Sequence, residues 1–210
     1  MKLFDKKYFD TYYSDYKKQN PGHKLIYYCN FLQKYVAKGR LLDIGCSYGM
    51  FVKTASSYYN TFGMDTDPEI VAEAAVRSKQ THFVVGKLPE IPLSGLDVIT
   101  VLDVLEHVPD LDRIMRHLHG ALNNSGIALI VVPVYDGPLG WLVRILDHDH
   151  THIHKQSRKF WINAVEPYFE LVEWQGIFRK LILGMYYLHI PTTGLRAIAP
   201  AIAMILRKKL

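Results

Sequence analysis

LLDIGCSYGMF, residues Leu41 to Phe51, is the most informative stretch of the chain. Its first residues are apolar and typical of a short buried strand, and Gly45 and Gly49 predict a sharp turn into a helix. A turn of this kind aims backbone N–H groups at whatever lies above the strand, and glycine lets a ligand approach the backbone. Asp43 adds a carboxylate just before the turn. The stretch therefore predicts a ligand site at the end of a strand.

Apolar, β-branched runs alternate with stretches of helical period through the middle of the chain. The predicted strands are Arg40 to Gly45, Thr61 to Asp65, His82 to Gly86, Asp97 to Leu102 and Gly126 to Pro133. Helices are predicted to follow them, among them Tyr48 to Ser57, Pro68 to Ser78 and Leu111 to Leu122. Strands that alternate with helices are typical of a parallel sheet covered on both faces.

The segments on either side of this middle part add further elements. A helix is predicted from Lys24 to Ala37, another near Ser157 to Val165, and a strand near Phe169 to Gly176. An apolar insertion, Ile177 to Pro200, comes next. The final Ala201 to Leu210 is favoured as a last strand over an amphipathic tail on a membrane surface.

The composition is that of an ordinary globular protein. Apolar residues make up 49% and charged residues 21% of the 210, which disfavours a disordered or low-complexity chain and suits one domain. Two cysteines, Cys29 and Cys46, are too few for a disulfide framework and fit a reducing cytoplasm. The net charge of +5 is scattered except at Arg207 to Lys209, so we expect no nucleic-acid partner.

A second acidic residue has a position that suits nucleoside binding. Asp65 comes twenty residues after Gly45, at the end of the second predicted strand, where a carboxylate can accept both hydroxyls of a ribose. The turn reads D-x-G-x-x-x-G, with Ser47 in the place of a glycine that dinucleotide folds require. Asp43 would repel a phosphate but suits a ligand with an ammonium and a sulfonium group. These residues favour S-adenosyl-methionine.

Together these stretches resemble the class I S-adenosyl-methionine-dependent methyltransferases, in particular the small-molecule branch with the ubiquinone-biosynthesis O-methyltransferases. LLDIGCSYG is similar to the family's first motif, GMDTDPEIV to its second, and Asp97 to Pro133 to its fourth strand, following helix and fifth strand. The resemblance implies an α/β fold with a Rossmann-like, mostly parallel sheet of seven strands, helices on both faces and an antiparallel last strand. It implies S-adenosyl-methionine as cofactor and S-adenosyl-homocysteine as product.

The resemblance also implies a set of residues around the cofactor: Asp43, Gly45, Cys46 and Gly49 at the methionine part, Asp65 at the ribose, Thr66 at the adenine and Leu102 in the pocket wall. Lys87 stands where many relatives carry an acid, so adenine recognition falls to backbone groups and Leu88. NPGHKLIYY resembles N-P-x-R-L-x-Y-I of the ubiquinone enzymes, which implies that Lys24 reaches the cofactor carboxylate. A lysine would make a point contact there instead of a planar fork.

Histidines are the candidates for acid–base chemistry. THIHKQSRKFW resembles the family's H-x-x-F-F-S-x-x-S-L segment, with Lys155 and Gln156 in place of two aromatics and His152 at the matching position. An unperturbed imidazole titrates near neutral pH, and we rank His152, His150 and His107 in this order as the base.

Two patterns bear on a metal ion. Glu106 and His107 match a Glu-His pair of relatives, where either a metal lies near the acid or the acid orders the loop and the histidine packs over the cofactor. Four histidines alternate, so an extended segment would project them to one side: His148, His150, His152 and His154. Asp147 and Asp149 alternate onto the other face and no cysteine is near, so we expect no metal.

Residues 1–210 are expected to form a single methyltransferase domain. Residues 1–38 would be an N-terminal helical lid with Tyr8, Tyr12, Tyr13 and Tyr16 on one face, residues 39–135 the cofactor-binding core, and residues 136–210 the substrate-side loop, the insertion and the last strands. Trp141 and the insertion either bound the acceptor site or belong to the core.

The expected activity is methyl transfer to a small-molecule acceptor, as an O-methylation of an apolar or lipid-linked metabolite. Peripheral contact with a membrane or lipid substrate is compatible with the apolar insertion and the basic end of the chain. A cytoplasmic enzyme is expected. The alternatives are a catalytically inactive nucleoside-binding partner subunit of the same fold and, less favoured, an NAD-dependent oxidoreductase.

Overall fold

The computed structural model describes residues 16–147, 149–182 and 186–210, without the side chains of residues 180–182. The predictions for Tyr8, Tyr12, Tyr13 and His148 therefore lie outside the described residues. The helices are α1 (Tyr16–Gln19), α2 (Gly22–Gln33), α3 (Met50–Ala55), α4 (Pro68–Arg77), α5 (Leu111–Ala121), α6 (Gly140–Leu146) and α7 (Arg158–Val165). The strands are β1 (Arg40–Ile44), β2 (Asn60–Asp65), β3 (His82–Val85), β4 (Leu96–Leu102), β5 (Leu122–Pro133), β6 (Phe169–Ile182), β7 (Tyr186–Thr192) and β8 (Ala201–Lys208).

The described strands form one mixed sheet in the order β3-β2-β1-β4-β5-β8-β6-β7. The first five pair in parallel. β8 lies antiparallel between β5 and β6, and β7 runs antiparallel to β6. The mostly parallel sheet with an antiparallel last strand is confirmed, and Ala201–Lys208 is a strand and not a surface tail. The expected number of seven strands is wrong, because the described sheet has eight.

The additional strand comes from the segment predicted as an apolar insertion. β6 continues past Gly176 to Ile182, and β7 returns beside it, with Gly176 opposite Thr192. The pairing partner of an apolar run is a tertiary property that its own periodicity does not show. The insertion is therefore a β-hairpin at the edge of the sheet.

Capping residues fix where the helices begin. Asp67 accepts hydrogen bonds from the N–H groups of Glu69 and Ile70, and Pro68 is the first residue of α4, as predicted. The helix predicted from Tyr48 begins only at Met50, since Gly49 has the left-handed φ of 72° that ends the turn. In the described chain no helix lies between β3 and β4.

The core fills both faces of the sheet. Successive side chains of a strand point to opposite faces. In β5, Ala128, Ile130 and Val132 accordingly pack in a cluster with α5 and α7, while Leu129 and Val131 pack in a second cluster with α2 and α3. The helices thus cover a sheet that is apolar on both sides, which leaves the ends of the strands for a ligand. None of the helices in the described ranges has the length and apolar character needed to cross a membrane.

Candidate active site

A cavity of about 1210 Å³ opens at the carboxyl ends of the central strands. Ile44, Asp65 and Leu102, the last residues of β1, β2 and β4, all line it. The strand order reverses between the neighbouring strands β1 and β4. Open α/β sheets bind their ligands at such a point. The location of the cavity therefore follows from the topology.

The turn after β1 forms one wall of the cavity. Gly45 has a φ of 74°, and its N–H and that of Cys46 both donate to the carbonyl of Met64. A Cβ atom on Gly45 would lie 2.3 Å from Cγ2 of Val104. The chain can close the turn against β2 only with a glycine here, and the cavity meets bare backbone.

Asp65 is held in place by the same turn. One carboxylate oxygen accepts a hydrogen bond from the Ser47 N–H at 2.8 Å, and the other accepts from the Thr66 N–H at 2.7 Å. Burial raises the pKa of Asp65, and these hydrogen bonds oppose that rise. Because each carboxylate oxygen has two lone-pair sites, each can still accept a ligand hydroxyl. The pair of free acceptor sites fits the diol of a ribose.

Asp43 is a buried carboxyl close to the turn. Only 3% of its surface is exposed, and the Thr100 hydroxyl donates to it at 2.6 Å. Burial raises its pKa to about 7 despite that hydrogen bond, and the negative charge of Asp65 adds to the rise. A cation in the cavity would favour the ionised form. The Asp43 carboxylate thus fits a ligand that carries a positive charge at this end.

Residues that follow β2 and β3 also line the cavity. Thr66 and Leu88 line it, and Leu88 precedes Pro89 in a cis peptide bond. Lys87 also lines the cavity and is exposed. At the position where many relatives carry an acid, the cavity is therefore lined by a lysine.

Two cations reach the cavity from distant segments. Lys24 of α2 is buried, which lowers its pKa to about 8, and the negative charge of Asp103 opposes that fall. Arg179 of β6 donates to one carboxylate oxygen of Asp103 at 2.6 Å. The other oxygen of Asp103 has no hydrogen-bond partner among the described residues. Sequence reasoning singled out Lys24 but missed Arg179, because Arg179 lies in the segment interpreted as an apolar insertion.

Glu106, His107 and His152 lie close together in the wall of the cavity. Nε2 of His152 lies 4.0 Å from Oε1 of Glu106, and the two imidazole rings are 4.7 Å apart. Burial, together with the charge of Asp103, raises the pKa of Glu106 well above its usual range. Burial, together with His152, lowers the pKa of His107.

Each of these three residues offers one ligand atom, and the three atoms lie within 4.8 Å of one another. That spacing alone does not distinguish an ion site from a proton-exchange site. The backbone of Glu106 also orders the loop, because its carbonyl accepts from the N–H groups of Ile153 and His154. We interpret the cluster as acid–base groups.

Not every histidine of the alternating series reaches the cavity. His150 is exposed and does not line it, so the structure does not support its ranking as a base. His154 turns away, with Nε2 at 2.9 Å from the carbonyl of Val108. His107 and His152 are the two imidazoles that line the cavity in the part of the chain that is described. The histidines from His150 to His154 do not all point to one side, because residues 150–151 form a turn and not an extended strand.

The other predicted residues divide into cavity wall and support. Seven of them line the cavity: Lys24, Asp43, Gly45, Cys46, Thr66, Leu88 and Leu102. Gly49 does not line it but ends the turn. Trp141 is 65% exposed, so it is not part of the core. It also does not line the cavity.

The fold and the site together define an S-adenosyl-methionine-dependent methyltransferase, and comparison with known proteins agrees. Residues 19–169 match the family described as methyltransferase domain, and since this is more than half of the chain, the chain belongs to that family. The ubiquinone biosynthesis O-methyltransferase of Rickettsia felis is 24% identical over 140 residues, which cover 58% of this chain and 57% of that protein. The chain thus matches little more than half the length of that relative.

Solved structures share the fold at low sequence identity. An S-adenosyl-methionine-dependent methyltransferase of Thermotoga maritima has a TM-score of 0.71 at 16% identity, with 96% of this chain and 98% of that chain covered. A Haloferax volcanii chain, solved with the Trm112 methyltransferase activator, has a TM-score of 0.74 at 14% identity, with 96% of both chains covered. The cofactor of the family is S-adenosyl-methionine, and the turn, Asp65 and Asp43 have the chemistry that this cofactor requires.

Proposed function

We propose that the protein transfers the methyl group of S-adenosyl-methionine to a hydroxyl group of an apolar or lipid-linked small molecule. The observation that carries this proposal is the position of His152, which lines the same cavity as Asp65 and lies beside Glu106 and His107. A hydroxyl acceptor must lose a proton, and an imidazole is the side chain best suited to take it near neutral pH. The O-methyltransferase activity named for the Rickettsia felis relative supports the same choice.

The cofactor end of the cavity is assigned to residues of the first two strands. Asp65 accepts the ribose hydroxyls, and the backbone at Gly45 and Cys46 contacts the methionine part. Asp43 provides negative charge for the cationic groups, and Lys24 provides positive charge for the carboxylate. When bound, S-adenosyl-methionine supplies an activated methyl group, so the protein contributes alignment and exclusion of water, which are worth several kcal/mol.

The acceptor end is assigned to the other side of the cavity. His152 takes the hydroxyl proton at Nε2, and His107, whose ring lies 4.7 Å from that of His152, is the other candidate base that lines the cavity. Leu146 of α6 is exposed and lines the cavity, and Trp141 and Ile145 of the same helix are exposed outside the cavity lining. Exposed apolar side chains on one helix favour an apolar acceptor or contact with a lipid surface. Nucleic acid is not expected as a partner.

The experiment is a methyl-transfer assay with purified protein, labelled S-adenosyl-methionine and a panel of acceptors. The panel pairs apolar phenols with the corresponding anilines and with hydrophilic phenols. We expect label on the oxygen of the apolar phenols, located by NMR of the product. Cofactor binding without turnover on a broad panel would support the inactive partner subunit instead.

A His152→Gln variant tests the proposed base. We expect its turnover with a phenol to fall by about 10²-fold or more, while its affinity for S-adenosyl-homocysteine stays within about twofold. His154→Gln is the matched control, because His154 belongs to the same segment but turns away from the cavity. An unaltered rate in the His152 variant would remove this residue from the proposed role.

A further inference from the structure

Asp147, which follows the last residue of α6, has three side-chain donors around one carboxylate oxygen. Its Oδ2 lies 2.9 Å from Nδ1 of His152, 2.7 Å from the Tyr135 hydroxyl and 2.8 Å from Nζ of Lys155. Its Oδ1 accepts from the Asp149 N–H at 3.2 Å. Both oxygens are therefore engaged, although the side chain is only 8% exposed.

This arrangement keeps Asp147 ionised. Burial alone would raise its pKa, but the hydrogen bonds from Lys155, Tyr135 and His152 outweigh burial and lower the pKa to about 2. An ionised carboxylate can only accept hydrogen bonds. Nδ1 of His152 must consequently carry a proton and donate it.

The protonation of Nδ1 decides the state of the other ring nitrogen. In a neutral imidazole one nitrogen donates and the other accepts, so Nε2 of His152 has the free lone pair. Nε2 lies 4.0 Å from Glu106 and 3.8 Å from Asp149, both beyond hydrogen-bond distance. Nε2 thus makes no hydrogen bond to Glu106 or Asp149, although both carboxylates lie within 4.0 Å of it, and His152 lines the cavity.

We propose that Asp147 is a positioning residue that holds His152 with Nδ1 protonated and Nε2 ready to take the acceptor's proton, and that Tyr135 and Lys155 hold the Asp147 carboxylate in that place. The inference rests on the proposed O-methylation. In the step, the acceptor O–H bond breaks, the proton goes to Nε2, and the oxygen lone pair forms the new bond to the methyl carbon. The imidazolium that results is stabilised by the Asp147 carboxylate.

Lys155 has a defined part in this arrangement. It stands where the similar segment of relatives has an aromatic residue, and its ammonium pairs with Asp147. It also lies near the imidazole, so it disfavours the imidazolium that Asp147 favours. The two charges therefore act on His152 in opposite directions.

Other charged and titratable groups also face His152. From the loop after β4 come Asp103, Glu106 and His107, and from its own segment Asp149. Arg179 of β6 offsets the charge of Asp103. These groups are common to the variants below, so differences between variants report on Asp147 and Lys155.

The test compares Asp147→Asn, Lys155→Met and the wild type in steady-state kinetics against pH, with a phenol from the active panel. A rate that depends on a general base rises with pH to a plateau. For Asp147→Asn we expect kcat to fall by about 10²-fold and the midpoint of the rise to move to lower pH. For Lys155→Met we expect the midpoint to move to higher pH. Lys159→Met, at an exposed lysine of α7, should leave rate and midpoint unchanged.

Nitrogen-15 NMR of the imidazoles in the cofactor-bound protein supplies a readout that needs no turnover. We expect His152 to show Nδ1–H in the wild type and to lose this preference in Asp147→Asn, with the affinity for S-adenosyl-homocysteine retained. The inference would be overturned if the midpoints of Asp147→Asn and Lys155→Met shifted in the same direction, or if the His152 tautomer were unchanged in Asp147→Asn. Neither outcome would contradict O-methylation. If no hydroxyl is methylated but the tautomer depends on Asp147, the proposed function fails and the positioning stands.

Discussion

Two single residues, Asp43 and Asp65, supply negative charge in the part of the cavity that we assign to the cofactor. Asp43 and Asp65 are both buried at the ends of adjacent strands, and burial raises the pKa of each. The two carboxylates accept hydrogen bonds from different kinds of donor. Asp65 accepts from two backbone N–H groups and stays in a fixed position, whereas Asp43 accepts from one hydroxyl, that of Thr100. Asp43 is therefore the carboxyl whose charge responds to a cation.

Cofactor affinity should depend on pH through Asp43. Its pKa of about 7 means that much of it is neutral below pH 7, so the affinity for S-adenosyl-methionine should increase from pH 5.5 to pH 7.5. Above about pH 8 the affinity should decrease again as Lys24 loses its proton. Calorimetric titration across this range measures both limbs. In Asp43→Asn the rising limb should be absent, and its persistence would assign it to another group.

The stability of the ligand-free protein should change with pH in the opposite sense. Between about pH 4 and pH 7, folded Asp43 holds a proton that the unfolded chain has released, since the folded pKa is the higher one. Its contribution to the free energy of unfolding is present at low pH and is lost as the pH rises through about 7. Urea unfolding of the wild type and Asp43→Asn at pH 5 and pH 7.5 compares the two. A difference between the proteins that does not vary with pH would contradict the assignment.

Asp65 and Asp67 are nearby acids with different expected effects. Asp65→Ala removes the ribose contacts and should cost about 3 kcal/mol of cofactor binding, roughly a hundredfold in affinity. Asp67→Ala removes the cap of α4 and should cost about 1 kcal/mol of folding stability, with affinity almost unchanged. Calorimetry and urea unfolding of both variants separate the two roles. Equal affinity in Asp65→Ala and the wild type would exclude the ribose contact.

At the scale of elements, the cavity depends on how β1 connects to α3. The turn passes through left-handed conformations at Gly45, Ser47 and Gly49, with φ values of 74°, 47° and 72°. Such conformations are unfavourable for residues with a Cβ atom. Ser47 tolerates one because its N–H is held by Asp65. The turn and the carboxylate of β2 therefore stabilise each other.

Gly45→Ala tests this dependence. The new Cβ would be strained by its φ of 74° and would lie 2.3 Å from Val104, so we expect about 2 to 3 kcal/mol of lost stability and at least tenfold weaker cofactor binding. Gly120→Ala, in α5 with open space around the Cβ, is the control and should be neutral or slightly stabilising. Thermal unfolding and calorimetry measure the two effects. Equal behaviour of the two variants would show that the turn accepts a side chain.

At the scale of the whole molecule, the site is assembled from segments far apart in the chain. α2 supplies Lys24, the ends of β1 and β2 supply the two aspartates, and the hairpin of β6 and β7 supplies Arg179. The hairpin lies at the sheet edge because β8 inserts between β5 and β6. The residues that join β7 to β8 pack back on β6, and Arg158 donates to the Arg196 carbonyl among them. The part of the cavity wall that contains Arg179 therefore depends on how the last three strands pair.

Gly176→Ala tests that closure. Its Cβ would lie 2.5 Å from Cα of Arg196, which is backbone and cannot move aside, so we expect a loss of about 1 to 3 kcal/mol in the free energy of unfolding. Gly194→Ala, in the same connection but with no atom within 4 Å of its Cβ, should change stability by less than about 0.5 kcal/mol. Urea unfolding compares them. If Gly176→Ala is as stable as Gly194→Ala, the connection does not pack tightly on β6.

The division into an N-terminal lid at 1–38, a core at 39–135 and a substrate side at 136–210 remains a prediction. Within the core, sequence reasoning placed the strands to within a few residues, because each is a short apolar run bounded by turn residues. It found the turn, Asp43 and Asp65 for a local reason, since glycine spacing and a carboxylate at a strand end are visible in the sequence. It did not find Arg179, whose partner Asp103 lies far away in the chain, or the contacts of Asp147 with Tyr135 and His152, which depend on the bend of the loop.

The amino-acid sequence by itself determined the parallel core and the turn after β1 with the carboxylates near it, because hydrophobic period, capping residues and glycines at a turn act over a few neighbouring positions. The tertiary structure decided the rest. It made the apolar insertion a hairpin with Arg179 in the cavity, and it brought Asp147 within 2.9 Å of His152 while His150 stayed exposed. The place of Arg179 depends on strand pairing over a long separation, and the Asp147–His152 contact depends on how the loop between them bends, which hydrophobic period does not specify.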